Sequence, residues 1–137
     1  MKITVDRLEA PFYLQAHNEE GNTLTMDAGP GIGGTGRGFR PMEMLLAALG
    51  GCSTIDIVHI LQKAHQPLDD IQVEVDGKRQ VGVEPSLYET IHVTYKLKGA
   101  FTDEAAQRAV DLSMTKYCSV AKTLEKTAAI TWTWERV

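Results

Sequence analysis

Residues 37–56, RGFRPMEMLLAALGGCSTID, contain a clearly marked helix start and an unusual helix interior. A proline occupies the favoured first helical position, and Glu43 places a negative charge in the first turn, where the helix dipole favours one. Gly50 and Gly51 follow in the middle of the helix, although glycine there costs roughly 1 kcal/mol relative to alanine. Glycine has no side chain, so Gly50 and Gly51 leave space beside Cys52. We therefore expect another backbone, a helix or a substrate to approach Cys52 closely.

The helix that begins here is predicted to run from about Pro41 to about Ala64. Apolar residues occupy nearly all of its sides, which predicts a central helix that is largely enclosed by protein. Positions 45, 48, 49, 52, 56 and 59 share one face by the 3.6-residue period. We therefore expect Cys52, Asp56 and His59 to line up along that face.

Alternating apolar and polar residues predict strands on both sides of this helix. The predicted strands cover residues 2–8, 12–18 and 22–28 before the helix, and residues 70–80, 88–99 and 128–136 after it. The first three form a small antiparallel meander, and the next two can pair as a hairpin. In the last strand, Ile130, Trp132 and Trp134 share one face.

Two further helices are predicted between the fifth and sixth strands. Thr102 caps the first, which runs through residue 117, and a short helix follows Cys118 over residues 119–127. Residues 28–38, AGPGIGGTGRG, contain too much glycine for a helix or strand and form a loop. That loop lacks the GxxxxGK[ST] and GxGxxG patterns, so a nucleotide site is disfavoured. The fold class is α+β, with helices packed against antiparallel sheet.

Length and composition favour one soluble domain over residues 1–137. The chain is 43% hydrophobic and 23% charged, and no apolar run approaches the roughly 18 residues that a membrane span needs. A net charge of −4 without a Lys/Arg cluster disfavours a nucleic acid or a membrane surface as the main partner. No signal peptide is recognisable at the N-terminus, so we expect a cytoplasmic protein.

The chain has two cysteines, Cys52 and Cys118, which a reducing cytosol keeps free unless they are redox-active. For Cys52 the alternatives are a small buried apolar residue and a reactive thiol. Cys118 stands at a helix entrance, where unpaired N–H groups and the positive end of the dipole would stabilise a thiolate; its alternative is an ordinary cap. His59 could add a metal ligand, but no CxxC or HxxxH spacing exists, so zinc is not expected.

Two segments carry a resemblance to a known family. PMEMLLAALGGCSTIDIV resembles the P-x-E-L-L-L-A-A-L-G-x-C signature of the OsmC/Ohr family of osmotically inducible and organic-hydroperoxide-resistance proteins. MTKYCSVAKTLEKT resembles the family's second cysteine segment, although Ser119 stands where members often carry proline. The order of elements matches along essentially the whole chain. The chain is therefore identified as resembling a less characterised OsmC-like branch.

The resemblance implies an OsmC-like fold that forms an intertwined homodimer, with the long helices packed together and the active sites at the subunit interface. It also implies that Cys52 attacks an organic hydroperoxide and that Cys118 captures the sulfenic acid as a disulfide. A dithiol would supply the electrons, and no metal or bound cofactor is expected. We expect both sulfurs to face one shared cleft between the subunits, with Cα atoms within roughly 7 Å.

The cation that would activate Cys52 is where this sequence departs from the family pattern. In the family's peroxidases, an arginine held by a glutamate lowers the thiol pKa, and that glutamate directly follows the motif proline. Here Met42 stands in that position and Glu43 comes one residue later, about 100° around the helix. Arg37 and Arg40 are the nearest candidate cations by sequence, with Arg7 as an outsider, and each is otherwise a solvated surface charge.

Two functions follow from these observations. The first is a thiol-dependent peroxidase that reduces organic hydroperoxides through the pair Cys52 and Cys118. The alternative is a non-peroxidase OsmC-like stress-response protein that binds a small apolar ligand in the dimer cleft, which the replacement by Met42 favours.

Overall fold

The computed structural model describes all residues 1–137 and divides the chain into two compact units. The first unit is Met1–Leu45 and the second is Leu46–Val137. Both contain a three-stranded sheet. The combination of sheets and helices confirms the α+β class that the sequence predicts.

The first unit is built on an antiparallel meander, as the alternating pattern predicts. Its strands, in the spatial order β1-β2-β3, are β1 (Ile3–Glu9), β2 (Tyr13–Asn18) and β3 (Thr23–Met26). The glycine-rich loop follows and contains one 3₁₀ turn, Pro30–Ile32. The nearly buried carboxylate of Asp27 organises this loop by accepting hydrogen bonds from the Thr35 hydroxyl (2.6 Å) and the Ala28 N–H (2.8 Å). These bonds, led by the one from Thr35, lower the pKa of Asp27.

The long helix α1 spans Pro41–Lys63, one residue short of the predicted end. Glu43 accepts a hydrogen bond from the backbone N–H of Arg40 at 2.9 Å, which satisfies a donor at the helix entrance. The fully buried positions are four residues apart and form a single stripe, consisting of Leu49, Ser53, Ile57 and Leu61. Ile55, by contrast, is 71% exposed.

The expectation that protein encloses α1 on all sides is therefore wrong for a single chain. Apolar periodicity shows which positions avoid water, but it does not show whether the same chain or another molecule covers them. The expectation that no segment could span a membrane also needs correction, because α1 is long and apolar enough by length and composition. Core helices of soluble proteins pass the same test, so this is weak support for a membrane span.

The second unit contains the other sheet and two helices. Its elements after α1 are β4 (Asp70–Arg79), β5 (Tyr88–Lys98), α2 (Asp103–Leu112), α3 (Ser119–Leu124) and β6 (Ala129–Arg136). β4 and β5 form the predicted antiparallel hairpin. A single π-helical turn, Ser113–Tyr117, replaces the end of the predicted second helix. The Thr102 hydroxyl caps α2 by accepting the N–H of Ala105 at 3.2 Å, as predicted.

Strand β6 pairs with β5 in parallel, so the expectation of purely antiparallel sheets is wrong at this strand. The two helices between β5 and β6 explain the difference. A connection of that length carries the chain back to the end of the sheet where β5 begins, so that β6 can run in the same direction as β5. Ile130, Trp132 and Trp134 do share the more buried face of β6. The indole N–H of Trp132 donates to Asp111 of α2 at 2.9 Å, which ties the helix to the strand.

Candidate active site

The two cysteines lie together in the second unit although 66 positions separate them in the chain. Cys52 is on α1, and Cys118 stands between the π turn and α3. Their Sγ atoms and a carboxylate oxygen of Asp56 all lie within 4.8 Å of one another. Both thiols are free. The expected closeness of the two sulfurs is therefore confirmed within one chain, whereas a cleft between subunits stays a prediction.

The two thiols differ in exposure. Cys52 is half-buried, whereas Cys118 is 0% exposed. The pKa of Cys118 is raised to about 12, mainly because a charged sulfur loses its hydration on burial and to a lesser extent because Cys52 lies beside it. Cys118 therefore stays a neutral thiol at physiological pH.

Cys118 is at a helix entrance, as predicted, and its sulfur accepts the N–H of Ala121 at 3.3 Å. That hydrogen bond acts to lower the pKa. Of the two alternatives for Cys118, the structure nevertheless favours the ordinary cap, because desolvation outweighs the stabilising effect of the helix entrance on a thiolate. Local sequence reveals a cap, but the depth of burial comes from tertiary packing.

Asp56 is the third member of the cluster. It lies one helical turn after Cys52 on the same face of α1, as the helical period predicts. The hydroxyl of Ser113 donates to its carboxylate at 3.1 Å. Ser113 also accepts the backbone N–H of Cys118 at 2.8 Å, so the π turn connects Asp56 to Cys118. The contact with Ser113 could not be predicted, since Ser113 is 57 residues away and its turn is irregular.

Tyr95 and Met114 lie in the core beside this cluster. Tyr95 is 0% exposed, and its hydroxyl donates to the Met114 sulfur at 3.0 Å. Burial raises the pKa of Tyr95, so the phenol remains neutral. Sequence analysis placed Tyr95 in a strand but gave no reason to associate it with the cysteines.

A cavity of about 540 Å³ adjoins the cluster through Asp56. Its lining combines apolar side chains with three basic ones and consists of Asp56, His59, Ile60, Lys63, Ala64, Arg108, Leu112 and Tyr117. His59 therefore joins Asp56 at one cavity, as their shared helix face predicts. The cavity has room for a small organic molecule of mixed polarity.

The two glycines have different surroundings. A Cβ added at Gly50 would meet Cγ2 of Val75 on β4 at 3.3 Å, so the close neighbour is the sheet of the same unit. A Cβ added at Gly51 would meet nothing within 4 Å. The close approach that the glycines predict is therefore found at Gly50, where the neighbour is β4 of the same unit, and stays a prediction at Gly51.

The predicted supporting residues Arg37, Arg40 and Glu43 all belong to the first unit, as does the outsider Arg7. Arg37 forms an ion pair with Glu9 at 2.9 Å and stacks over the ring of Tyr13. Glu43 caps the backbone of Arg40, so it is not the carboxylate that holds Arg37. Arg37 is therefore paired with Glu9 of β1 and not with Glu43.

Cys52, Asp56 and Cys118 are also the residue types that bind a transition metal. Two sulfurs and a carboxylate oxygen provide three ligands, one fewer than a closed tetrahedral zinc site requires. Spacing alone could not reveal this set, because Cys118 reaches the other two only through the tertiary fold.

The sequence matches a known protein family and a bacterial relative over most of its length. Residues 34–133 match the family model described as "OsmC-like protein". Protein YhfA of Escherichia coli (strain K12) is 42% identical over 138 residues, which cover 100% of this chain and 98% of YhfA.

Two solved structures show the same fold at low sequence identity. An OsmC-like protein from Mycoplasma pneumoniae superposes with a TM-score of 0.83 at 18% identity, covering 99% of this chain and 96% of that one. An organic hydroperoxide resistance protein from Elizabethkingia anophelis superposes with a TM-score of 0.75 at 13% identity, covering 100% of this chain and 97% of that one.

Proposed function

The chain belongs to the OsmC-like family, and on that premise we propose that it is a thiol-dependent peroxidase that reduces organic hydroperoxides. The observation that carries the proposal is the meeting of Cys52 and Cys118, whose sulfurs lie within 4.8 Å of each other. Support also comes from the fold shared with a protein named for organic hydroperoxide resistance.

The difference in exposure between the thiols assigns their roles. Cys52 is half-buried and accessible to a substrate, so it is the attacking group. Cys118 is fully buried and neutral, which makes it a poor first nucleophile. Its role is that of the resolving thiol, which reacts with the oxidised Cys52. The order of attack is therefore Cys52 first and Cys118 second.

The reaction has three steps. The Cys52 thiolate attacks the hydroperoxide, the O–O bond breaks, and a sulfenic acid and an alkoxide form; the alkoxide takes one proton from water and leaves as the alcohol. The Cys118 thiol then attacks the sulfenic sulfur and loses its proton, and the hydroxyl leaves as water while the disulfide forms. An external dithiol restores both thiols by exchange and becomes a disulfide itself.

Self-association is part of the proposal. The stripe of buried residues covers only one side of α1, and Ile55 remains 71% exposed on another side. A second copy of the chain that packs along this helix would remove that apolar surface from water. We also propose a cytoplasmic location, where a reducing environment regenerates the thiols.

The 540 Å³ cavity favours a second candidate function. The apolar side chains of Ile60, Ala64 and Leu112 line this cavity, which suits the binding of a small ligand that the protein does not convert. Lys63 and Arg108 add positive charge, so such a ligand would carry an anionic group rather than being wholly apolar.

Peroxide consumption by cysteine variants tests the two functions. Reduced wild-type protein is mixed with cumene hydroperoxide or tert-butyl hydroperoxide and excess dithiol, and hydroperoxide loss is measured. We expect steady turnover by the wild type, none by Cys52→Ser, and a single equivalent consumed by Cys118→Ser in the absence of the dithiol. The two variants control for each other, because each removes one thiol from the same cluster.

Equal activity of wild type and Cys52→Ser would contradict the peroxidase proposal. Binding without turnover would support the second candidate. It would be detected as a small molecule retained in native mass spectrometry of the wild type and lost from a Leu112→Glu variant.

A further inference from the structure

The cluster of Cys52, Asp56 and Cys118 has a composition suited to a metal ion. Zinc binds thiolate sulfur at about 2.3 Å and carboxylate oxygen at about 2.0 to 2.2 Å, so ligands of a tetrahedral site lie about 3.5 to 3.8 Å apart. The three ligand atoms here lie within 4.8 Å of one another. The atoms are therefore at most about 1.3 Å farther apart than the ligands of a tetrahedral zinc site.

The supporting structure holds two of these ligands in place. Cys52 and Asp56 project from successive turns of one helix, which fixes their spacing. The Ser113 hydroxyl donates to the Asp56 carboxylate, and such a hydrogen bond orients a ligating oxygen. Cys118 is held at the entrance of α3 by its backbone bond to Ser113.

We propose that the reduced protein binds one Zn²⁺ per chain through Cys52, Asp56 and Cys118. Three protein ligands leave the fourth position for water, as in zinc sites that keep an open coordination position. Asp56 also lines the 540 Å³ cavity, so this ligand borders an open space. Two soft sulfurs favour zinc over magnesium or calcium, which prefer oxygen ligands.

Metal binding and disulfide formation exclude each other, because both use the same sulfurs. Binding of Zn²⁺ displaces the thiol protons. An organic hydroperoxide that oxidises the zinc-bound pair takes up two protons and yields the disulfide, an alcohol, water and free Zn²⁺. The zinc site itself does not rest on the proposed peroxidase activity, since it requires only the reduced cluster.

Zinc titration without hydroperoxide tests the site. Reduced, oxygen-free protein competes with a chromophoric chelator for Zn²⁺, and we expect one ion bound per wild-type chain. Side chains that merely orient a ligand already contribute roughly 10- to 100-fold to metal affinity, so Asp56→Asn is expected to weaken binding at least about tenfold. Asp76→Asn makes the same chemical change at an exposed carboxylate of β4 and should bind like the wild type.

Two measurements on the wild-type chain keep the test independent of variant folding. Co²⁺ should produce sulfur-to-metal charge-transfer absorption and the visible bands of tetrahedral cobalt. Protein whose cysteines have been oxidised to the disulfide should bind neither metal at the cluster.

Absence of stoichiometric binding by the reduced wild type would overturn the site. So would equal affinity of a folded Asp56→Asn variant and the wild type, or octahedral cobalt without sulfur absorption. None of these outcomes involves peroxide, so they leave the peroxidase proposal intact. Conversely, an inactive peroxidase that binds zinc would leave the metal site intact.

Discussion

At the scale of single residues, the balance between burial and helix capping decides the character of Cys118. Sequence correctly predicts that Cys118 begins a helix, and the N–H of Ala121 does point to its sulfur. The thiol is nevertheless 0% exposed, and burial raises its pKa to about 12. Capping is a local property that can be predicted from neighbouring residues, whereas burial depends on elements that are distant in the sequence.

This pKa predicts a loss of stability in alkali. An unfolded Cys118 loses its proton near its ordinary value of 9.0, but the folded thiol keeps it until about 12. The unfolded state therefore binds fewer protons between these values, and the free energy of unfolding falls as pH rises through that window. Buried Tyr95 acts in the same direction at pH above 10, because its pKa is raised too.

Denaturant unfolding at several pH values from 8 to about 11, with reductant and chelator present, measures this effect. Wild type should lose stability more steeply than Cys118→Ala, which retains the contribution of Tyr95 and lacks that of the thiol. Parallel slopes for the two proteins would show that burial does not hold the thiol neutral.

Among the secondary-structure elements, the regular strands and helices can be predicted from the sequence, whereas the irregular connections between them cannot. The alternating strands, the start of α1 and the Thr102 cap all follow local rules, and the structure contains them. The π turn at Ser113–Tyr117 does not follow such a rule, yet it connects Asp56 to Cys118. The parallel pairing of β6 likewise depends on a crossover that spans two helices.

The Thr102 cap gives a prediction at this scale. Replacing Thr102 by alanine removes the hydroxyl that accepts the Ala105 N–H, which should lower the free energy of unfolding by about 1 kcal/mol. Thr102→Ser retains the hydroxyl and should stay within a few tenths of a kcal/mol of the wild type. Thermal or denaturant unfolding of the three proteins measures the difference; equal losses in both variants would contradict a capping role.

At the scale of the whole molecule, the family and the α+β class were predictable because one helix carries a specific motif. The match over residues 34–133 and the superposed structures confirm the OsmC-like fold that the resemblance implies. The surroundings of α1 were less predictable, since its apolar residues are not all covered within one chain. A single domain over residues 1–137 and the homodimer stay predictions.

A substitution at the exposed residue Ile55 tests the proposed homodimer. If a second copy covers α1, Ile55→Glu places a charge in an apolar interface and should shift the protein toward monomer by at least about tenfold in dissociation constant. Val81→Glu makes the same kind of change at a residue that is 95% exposed, outside the helix, and should not alter association. Sedimentation equilibrium measures both; a monomeric wild type, or an unchanged Ile55→Glu dimer, would argue against self-association through α1.

The account depends most on Cys52 and Cys118 acting as one redox pair within a chain. Peptide mapping by mass spectrometry, after a stoichiometric dose of cumene hydroperoxide to reduced protein, tests this directly. We predict a disulfide that joins the Cys52 peptide to the Cys118 peptide, with the loss of two hydrogens and no covalent dimer. A Cys52 that accumulates as sulfinic acid beside a free Cys118, or two thiols that remain reduced, would contradict it.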